Sequence, residues 1–192
     1  MLTSCALLLT LLSSCGGGSA PVDSSSPPEE TKTGLPEISE VVFSGNLKEM
    51  VIVPGQGNTA SLIKDASGPA IRLSSTGSKR PPDGDGNGGI VRLSPALSRA
   101  LSGRKVTVTI TMRTSLKDGS TTARALYSRP GLPTSGWQDL TAGTEFADAT
   151  FEYKVPTREG GHGPDLISIW ADPEGRDRAI EIRKIEIKSA AN

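Results

Sequence analysis

Arg104 to Thr114 reads RKVTVTITMRT. Val106, Val108, Ile110 and Met112 alternate with Thr107, Thr109, Thr111 and Arg113. Successive side chains of an extended chain point to opposite faces, so the segment predicts a strand with one face in a core and the other in water. Its β-branched Val and Thr suit a pleated surface. The same period of two recurs in Met50–Val53, Ala70–Ser74, Gly89–Leu93, Ala123–Ser128, Thr150–Val155, Leu166–Asp172 and Arg178–Lys188. Gly, Pro, Asn and Asp clusters separate most of these runs and supply the backbone angles that turns need. The pattern predicts an all-β fold, an antiparallel β-sandwich over residues 39–192, with Lys117-Asp118-Gly119-Ser120 as a hairpin turn between two of its strands.

Two irregularities sharpen the outline. Ser94-Pro95-Ala96-Leu97-Ser98-Arg99-Ala100-Leu101-Ser102-Gly103 carries a capping Ser, a Pro at the first helical position and a Gly past the end, which predicts one short helix. In Ala179–Lys188, Ile180 and Ile182 share one parity while Ile185 and Ile187 share the other, so a β-bulge or a bend is expected at Arg183-Lys184.

Composition removes several functions. The 192 residues hold 21 Lys+Arg against 21 Asp+Glu, with 35% hydrophobic residues. A balanced chain without a basic stripe lacks the clustered cations that release counterions from phosphates, so a nucleic-acid partner is not expected. No apolar run reaches the roughly 18 residues that cross a bilayer as a helix.

Met1 to Cys15 reads MLTSCALLLTLLSSC, with Ala6–Leu12 an apolar run of signal-peptide length. The Leu12-Ser13-Ser14-Cys15 that follows resembles the lipobox of bacterial lipoproteins, although no Lys or Arg precedes Ala6. The resemblance implies a signal peptide over residues 1–14, diacylglyceryl transfer to the Cys15 thiol, and membrane attachment through that lipid. Cys5 would leave with the signal peptide, so no disulfide, zinc site or cysteine nucleophile is expected. Residues 15–38 contain GGGSAPVDSSSPPEETKTGL, too polar to offset its chain entropy, and predict a tether of about 25 Å root-mean-square span. Gly16 and Gly17 after the cysteine resemble the sorting rule for the outer membrane, with the domain on the periplasmic or surface face.

The long strand after LSGRK, the segment SGWQDLT (Ser135–Thr141), FEYKVP (Phe151–Pro156) and the C-terminal run together resemble galactose-binding-like jelly-roll domains, which include many carbohydrate-binding modules. The resemblance covers about Phe43 to Ser189 and implies the fold more firmly than any activity.

Titratable groups for catalysis are scarce. His162, set in Gly160-Gly161-His162-Gly163-Pro164, is the sole histidine, and neither a Gly-x-Ser-x-Gly elbow nor a His-x-x-x-His pair is present. No enzyme is expected. Asp83-Gly84-Asp85-Gly86-Asn87-Gly88-Gly89 reproduces the first half of a calcium loop, with Asp83, Asp85 and Asn87 as candidate ligands. Ser94 stands where that loop would place its bidentate Glu, and a plain Gly/Asp turn is the competing reading.

Sugar rings stack their apolar faces on aromatic rings, so the two Trp residues are candidate ligand contacts. With Ile167, Ile169 and Ala171 as the core set, Trp170 and Asp172 are expected on the exposed face, as a sugar platform. Trp137 lies in a turn-rich segment. Arg113 and Arg124 are expected to share a polar face, where guanidinium forks bind hydroxyls or carboxylates. The expected function is non-catalytic binding of a glycan or envelope polysaccharide, with calcium as a candidate stabiliser. The alternative is an adaptor that docks another envelope protein.

Overall fold

The computed structural model describes residues 35–44, 52–75, 88–157, 159 and 163–191. Eleven strands form two antiparallel sheets: β1 (Ile38–Ser44), β2 (Ile52–Pro54), β3 (Asn58–Asp65), β4 (Gly68–Ser75), β5 (Gly89–Arg92), β6 (Lys105–Thr114), β7 (Thr122–Ser128), β8 (Gln138–Thr141), β9 (Ala147–Lys154), β10 (Leu166–Trp170) and β11 (Ala179–Ser189). One sheet runs β3-β4-β11-β6-β9, with β1 also paired to β11; the other runs β2-β5-β10-β7-β8. The fold is the all-β sandwich with one short helix that the alternation predicts. Cys15, the candidate calcium ligands Asp83, Asp85 and Asn87, and His162 lie outside the described residues.

The core lies between the sheets. Val106, Val108 and Ile110 are fully buried and Met112 nearly so, facing Ala123, Ala125, Tyr127, Ile167 and Ile169 of the second sheet. The helix α1 (Pro95–Ala100) starts as its sequence dictates: the Ser94 side chain accepts the Leu97 N–H at 3.1 Å, and Pro95 needs no N–H partner at the first position. Leu97 and Leu101 join the core, so the helix closes one end of the sandwich rather than adding a layer.

In β11, Ile180 and Ile182 pair with Thr114 and Met112, while Ile185 and Ile187 pair with Ile110 and Val108; the register shifts between Ile182 and Lys184. The extra residue, Arg183, lets both isoleucine pairs face inward despite their opposite parity. The turn at Lys117–Ser120 is present, with Asp118 at φ 55, but it is not a hairpin. β6 pairs with β11 and β9, whereas β7 pairs with β10 and β8, so this turn carries the chain from one sheet to the other. Ala179 holds it in place, with its N–H donating to the Asp118 carbonyl and its carbonyl accepting from Ser115 and Ser120.

Candidate functional site

The outward face of the five-stranded sheet follows from its register. Ile167, Ile169 and Ala171 belong to the core, so Leu166, Ser168 and Trp170 take the other side of β10. Their cross-strand partners share that side: Arg92, Leu166 and Ser128 form one row; Ile90, Ser168 and Leu126 the next; Trp170 and Arg124 a third, extended by Asp139 on β8. Trp137, one residue before β8, has the parity of Asp139. At one edge Val53 pairs with Ile90 and is 52% exposed.

The centre of this face is a mixture of apolar side chains and hydroxyls. Ser128 and Ser168 are wholly buried, yet the Oγ of each lacks any hydrogen-bond partner, and so does the buried Trp137 indole Nε1. Among the described residues five buried side-chain polar atoms lack partners, and the register puts the two serines among them on this face. A buried polar group without a partner loses about 1–3 kcal/mol of hydration, so each of these three atoms leaves hydrogen-bonding capacity unused. At the rim, Arg124 donates its Nε to Asp139 Oδ1 at 2.6 Å, and Arg92 is exposed.

Several expected site residues sit elsewhere or do something else. Trp170 has the predicted parity but is only 4% exposed: its Nε1 donates to the Asp172 carbonyl at 2.8 Å, folding the indole under the chain that leaves β10. It is not an exposed platform. Asp172 is fully buried and its carboxylate accepts the N–H groups of Glu174, Arg176 and Arg178, which makes it the organiser of a turn. Arg113 lies on the other sheet from Arg124, so the two do not share a face. It pairs with Glu181 at 2.6 Å and with Asp65, and stacks over Phe146 at 4.4 Å. Of the expected ligand contacts, the register sets the buried Trp170 beside Arg124, and Trp137 stands one residue before β8, the strand paired with Arg124. The sequence reasoning passed over Ser128, Ser168 and Arg92. Ser168 had a signal: it is the one hydroxyl in the apolar run Leu166-Ile167-Ser168-Ile169-Trp170.

Among the described residues the strongest buried charges are paired within the fold. Arg129 donates to Asp165 through Nε at 2.9 Å and Nη2 at 2.8 Å, and to the Ser98 and Pro156 carbonyls and the Ser102 hydroxyl, which uses all five of its N–H groups. Tyr127 donates its hydroxyl to Asp165 at 2.6 Å, and burial, reinforced by that bond, raises its pKa far above the ordinary phenol range. A phenol so held is a poor acid and a poor nucleophile. On the other sheet, hydrogen bonds from Ser67 and then from Arg113 lower the Asp65 pKa to about 2. No group of three His, Cys, Asp or Glu residues able to hold a metal occurs among the described residues.

No protein-family model matches the chain, and no curated protein sequence is similar to it. Solved structures are similar in fold. The tandem CBM22-1-CBM22-2 domain of Paenibacillus barcinonensis Xyn10C matches with a TM-score of 0.55 at 8% identity, covering 80% of this chain and 47% of that one. Its CBM22-2 xylan-binding domain alone matches at 0.53 and 11% identity, covering 80% of this chain and 99% of the domain. The Clostridium thermocellum xylanase 10B CBM22-1-GH10 modules, solved with xylohexaose, match at 0.50 and 12% identity over 77% of this chain. This chain spans only 28% of that last structure. The domain is thus a carbohydrate-binding-module-like β-sandwich in fold.

Proposed function

We propose that this protein is a non-catalytic glycan-binding module, held at a bacterial cell envelope by a lipid on Cys15 and a polar tether, with its site on the outward face of the five-stranded sheet. The observation that carries the reading is the set of buried polar atoms without partners, Ser128 Oγ and Ser168 Oγ on that face by register and Trp137 Nε1 one residue before β8. A sugar ring offers hydroxyls that both donate and accept, and C–H faces that pack on the half-buried Ile90 and Trp137. The likeness in fold to xylan-binding modules supports the same reading without identifying the sugar.

A glycan array probed with the protein, followed by Trp137→Ala, tests it. Binding by the native protein that falls at least tenfold in the variant supports the site; unchanged binding, or a silent array alongside capture of an envelope protein by the same face, overturns it in favour of the adaptor reading. Lipidation is tested separately: Cys15→Ser should release the protein from the membrane fraction. Asp83, Asp85 and Asn87 stay candidate calcium ligands in this reading, and a calcium-dependent rise in melting temperature that Asp85→Ala removes is the result expected of them.

A further inference from the structure

We propose that the glycan taken by this face is acidic, with carboxylates engaged by Arg92 and Arg124 on either side of Ser168. This rests on the glycan-binding reading above and adds the chemical class of the ligand.

The chain treats its arginines in two ways. Arg113 and Arg129 are each less than a tenth exposed and bound to internal carboxylates, Glu181 and Asp65 for one and Asp165 for the other. The two on the candidate face are left open. Arg92 has no carboxylate partner among the described residues. Arg124 gives only its Nε to Asp139, and both Nη groups are unengaged. That pair is exposed, at 31% and 78% for its two side chains, so it contributes about 0–1 kcal/mol and yields readily to a better acceptor.

Geometry sets the two guanidiniums on opposite sides of the hydroxyl pair. Ser168 faces Ile90 on β5 and Leu126 on β7, so Arg92 and Arg124 are its diagonal neighbours, one on each side. Diagonal neighbours stand roughly 7–8 Å apart, within the reach of an arginine side chain. Apart from Asp139, the outward positions of these strands that lie nearest, Val53, Ile90, Leu126, Ser128 and Thr141, are uncharged. Two guanidiniums against one carboxylate leave a positive field at this face. The planar fork of each guanidinium matches a carboxylate with two parallel hydrogen bonds, a match that a neutral hydroxyl cannot make. A sugar chain bearing uronate groups would satisfy both forks at the rim.

Titration calorimetry with hexagalacturonate and with xylohexaose, each at low and at moderate ionic strength, tests the proposal. The native protein is expected to bind hexagalacturonate at least tenfold tighter than xylohexaose, with the gap narrowing as salt screens the charges. Arg92→Gln and Arg124→Gln, both surface changes, are each expected to lower the affinity for hexagalacturonate about tenfold and to lower that for xylohexaose by much less. Equal affinity for the two probes, a preference for xylohexaose, or an Arg92→Gln variant indistinguishable from the native protein overturns the acidic ligand while glycan binding stands. Failure of the native protein to bind either probe overturns the acidic ligand, and a silent glycan array as well overturns glycan binding by this face with it.

Discussion

Ser168 carries a hydroxyl at the centre of the candidate face with nothing to bond to, and this sets stability against function at one atom. Ser168→Ala removes a buried group that lacks a partner, so the free protein is expected to gain about 1 kcal/mol in urea unfolding while glycan affinity falls. A loss of stability would show that the hydroxyl is satisfied without ligand. Trp170 is the opposite case. Its indole is sealed by the turn that Asp172 organises, so Trp170→Ala is expected to cost about 3–5 kcal/mol, seen as a lower urea midpoint. Arg129→Met should cost a similar amount, because it leaves the Asp165 carboxylate buried without its cation. The side on which Trp170 stands was legible from the alternation around Ile167 and Ile169. Its burial was not, because exposure depends on three backbone N–H groups gathered by Asp172, and no periodicity records where a loop folds back. Arg113 was misplaced for a related reason: parity gives the face of a strand but not the sheet to which the strand belongs.

At the scale of elements, the passage from β6 to β7 decides the topology. Gly119 sits in that turn, and a Cβ there would collide with the Thr114 Oγ1 and the Ser115 carbonyl. Gly119→Ala is therefore expected to destabilise the protein by more than Gly131→Ala, where positive φ imposes strain but no atom lies within 4 Å of the added carbon. Comparing the thermal midpoints of the two variants checks this, and equal midpoints would mean that the turn yields freely. The Asp-Gly chemistry of this turn was legible, but it suits a hairpin and a sheet-to-sheet crossing equally well, so only pairing distinguishes them. The helix cap at Ser94 and the bulge at Arg183 were readable because each leaves a local signature: a capping residue with Pro and Gly in one, a change of parity in the other. Strands β1, β3 and β8 were not singled out as strands. β3 is an edge strand whose apolar residues are half solvated, with Leu62 at 41% exposure, so its alternation is weak.

Across the whole molecule, the two outward faces have different characters. The six-stranded sheet turns outward a network in which Arg113, Glu181 and Asp65 satisfy one another, while, among the described residues, the five-stranded sheet turns outward serine hydroxyls without partners, Arg92 without a carboxylate, and Arg124 held only through Nε by the exposed Asp139. The network has a pH signature. The carboxyl of Asp65 titrates below its ordinary value, at about 2 instead of 3.8, so its contribution to stability is full above pH 4 and is lost as pH falls towards 2. Asp65→Asn should flatten the acid limb of a stability profile over that window, and an unchanged acid limb would show that the Ser67 and Arg113 bonds do not persist in solution. The sandwich and the sharing out of side chains between its core and its outer surface were legible in the sequence. The difference between the faces was not, because it depends on which charges meet across strands distant in the chain. Backbone and indole amide resonances followed by NMR during titration with hexagalacturonate and xylohexaose test the central claim most directly. Shifts are expected at Ile90, Arg92, Leu126, Ser128, Ser168 and the Trp137 indole, with the β6 and β11 resonances unmoved. Shifts confined to the outward face of the six-stranded sheet, or none with either sugar, would contradict the account.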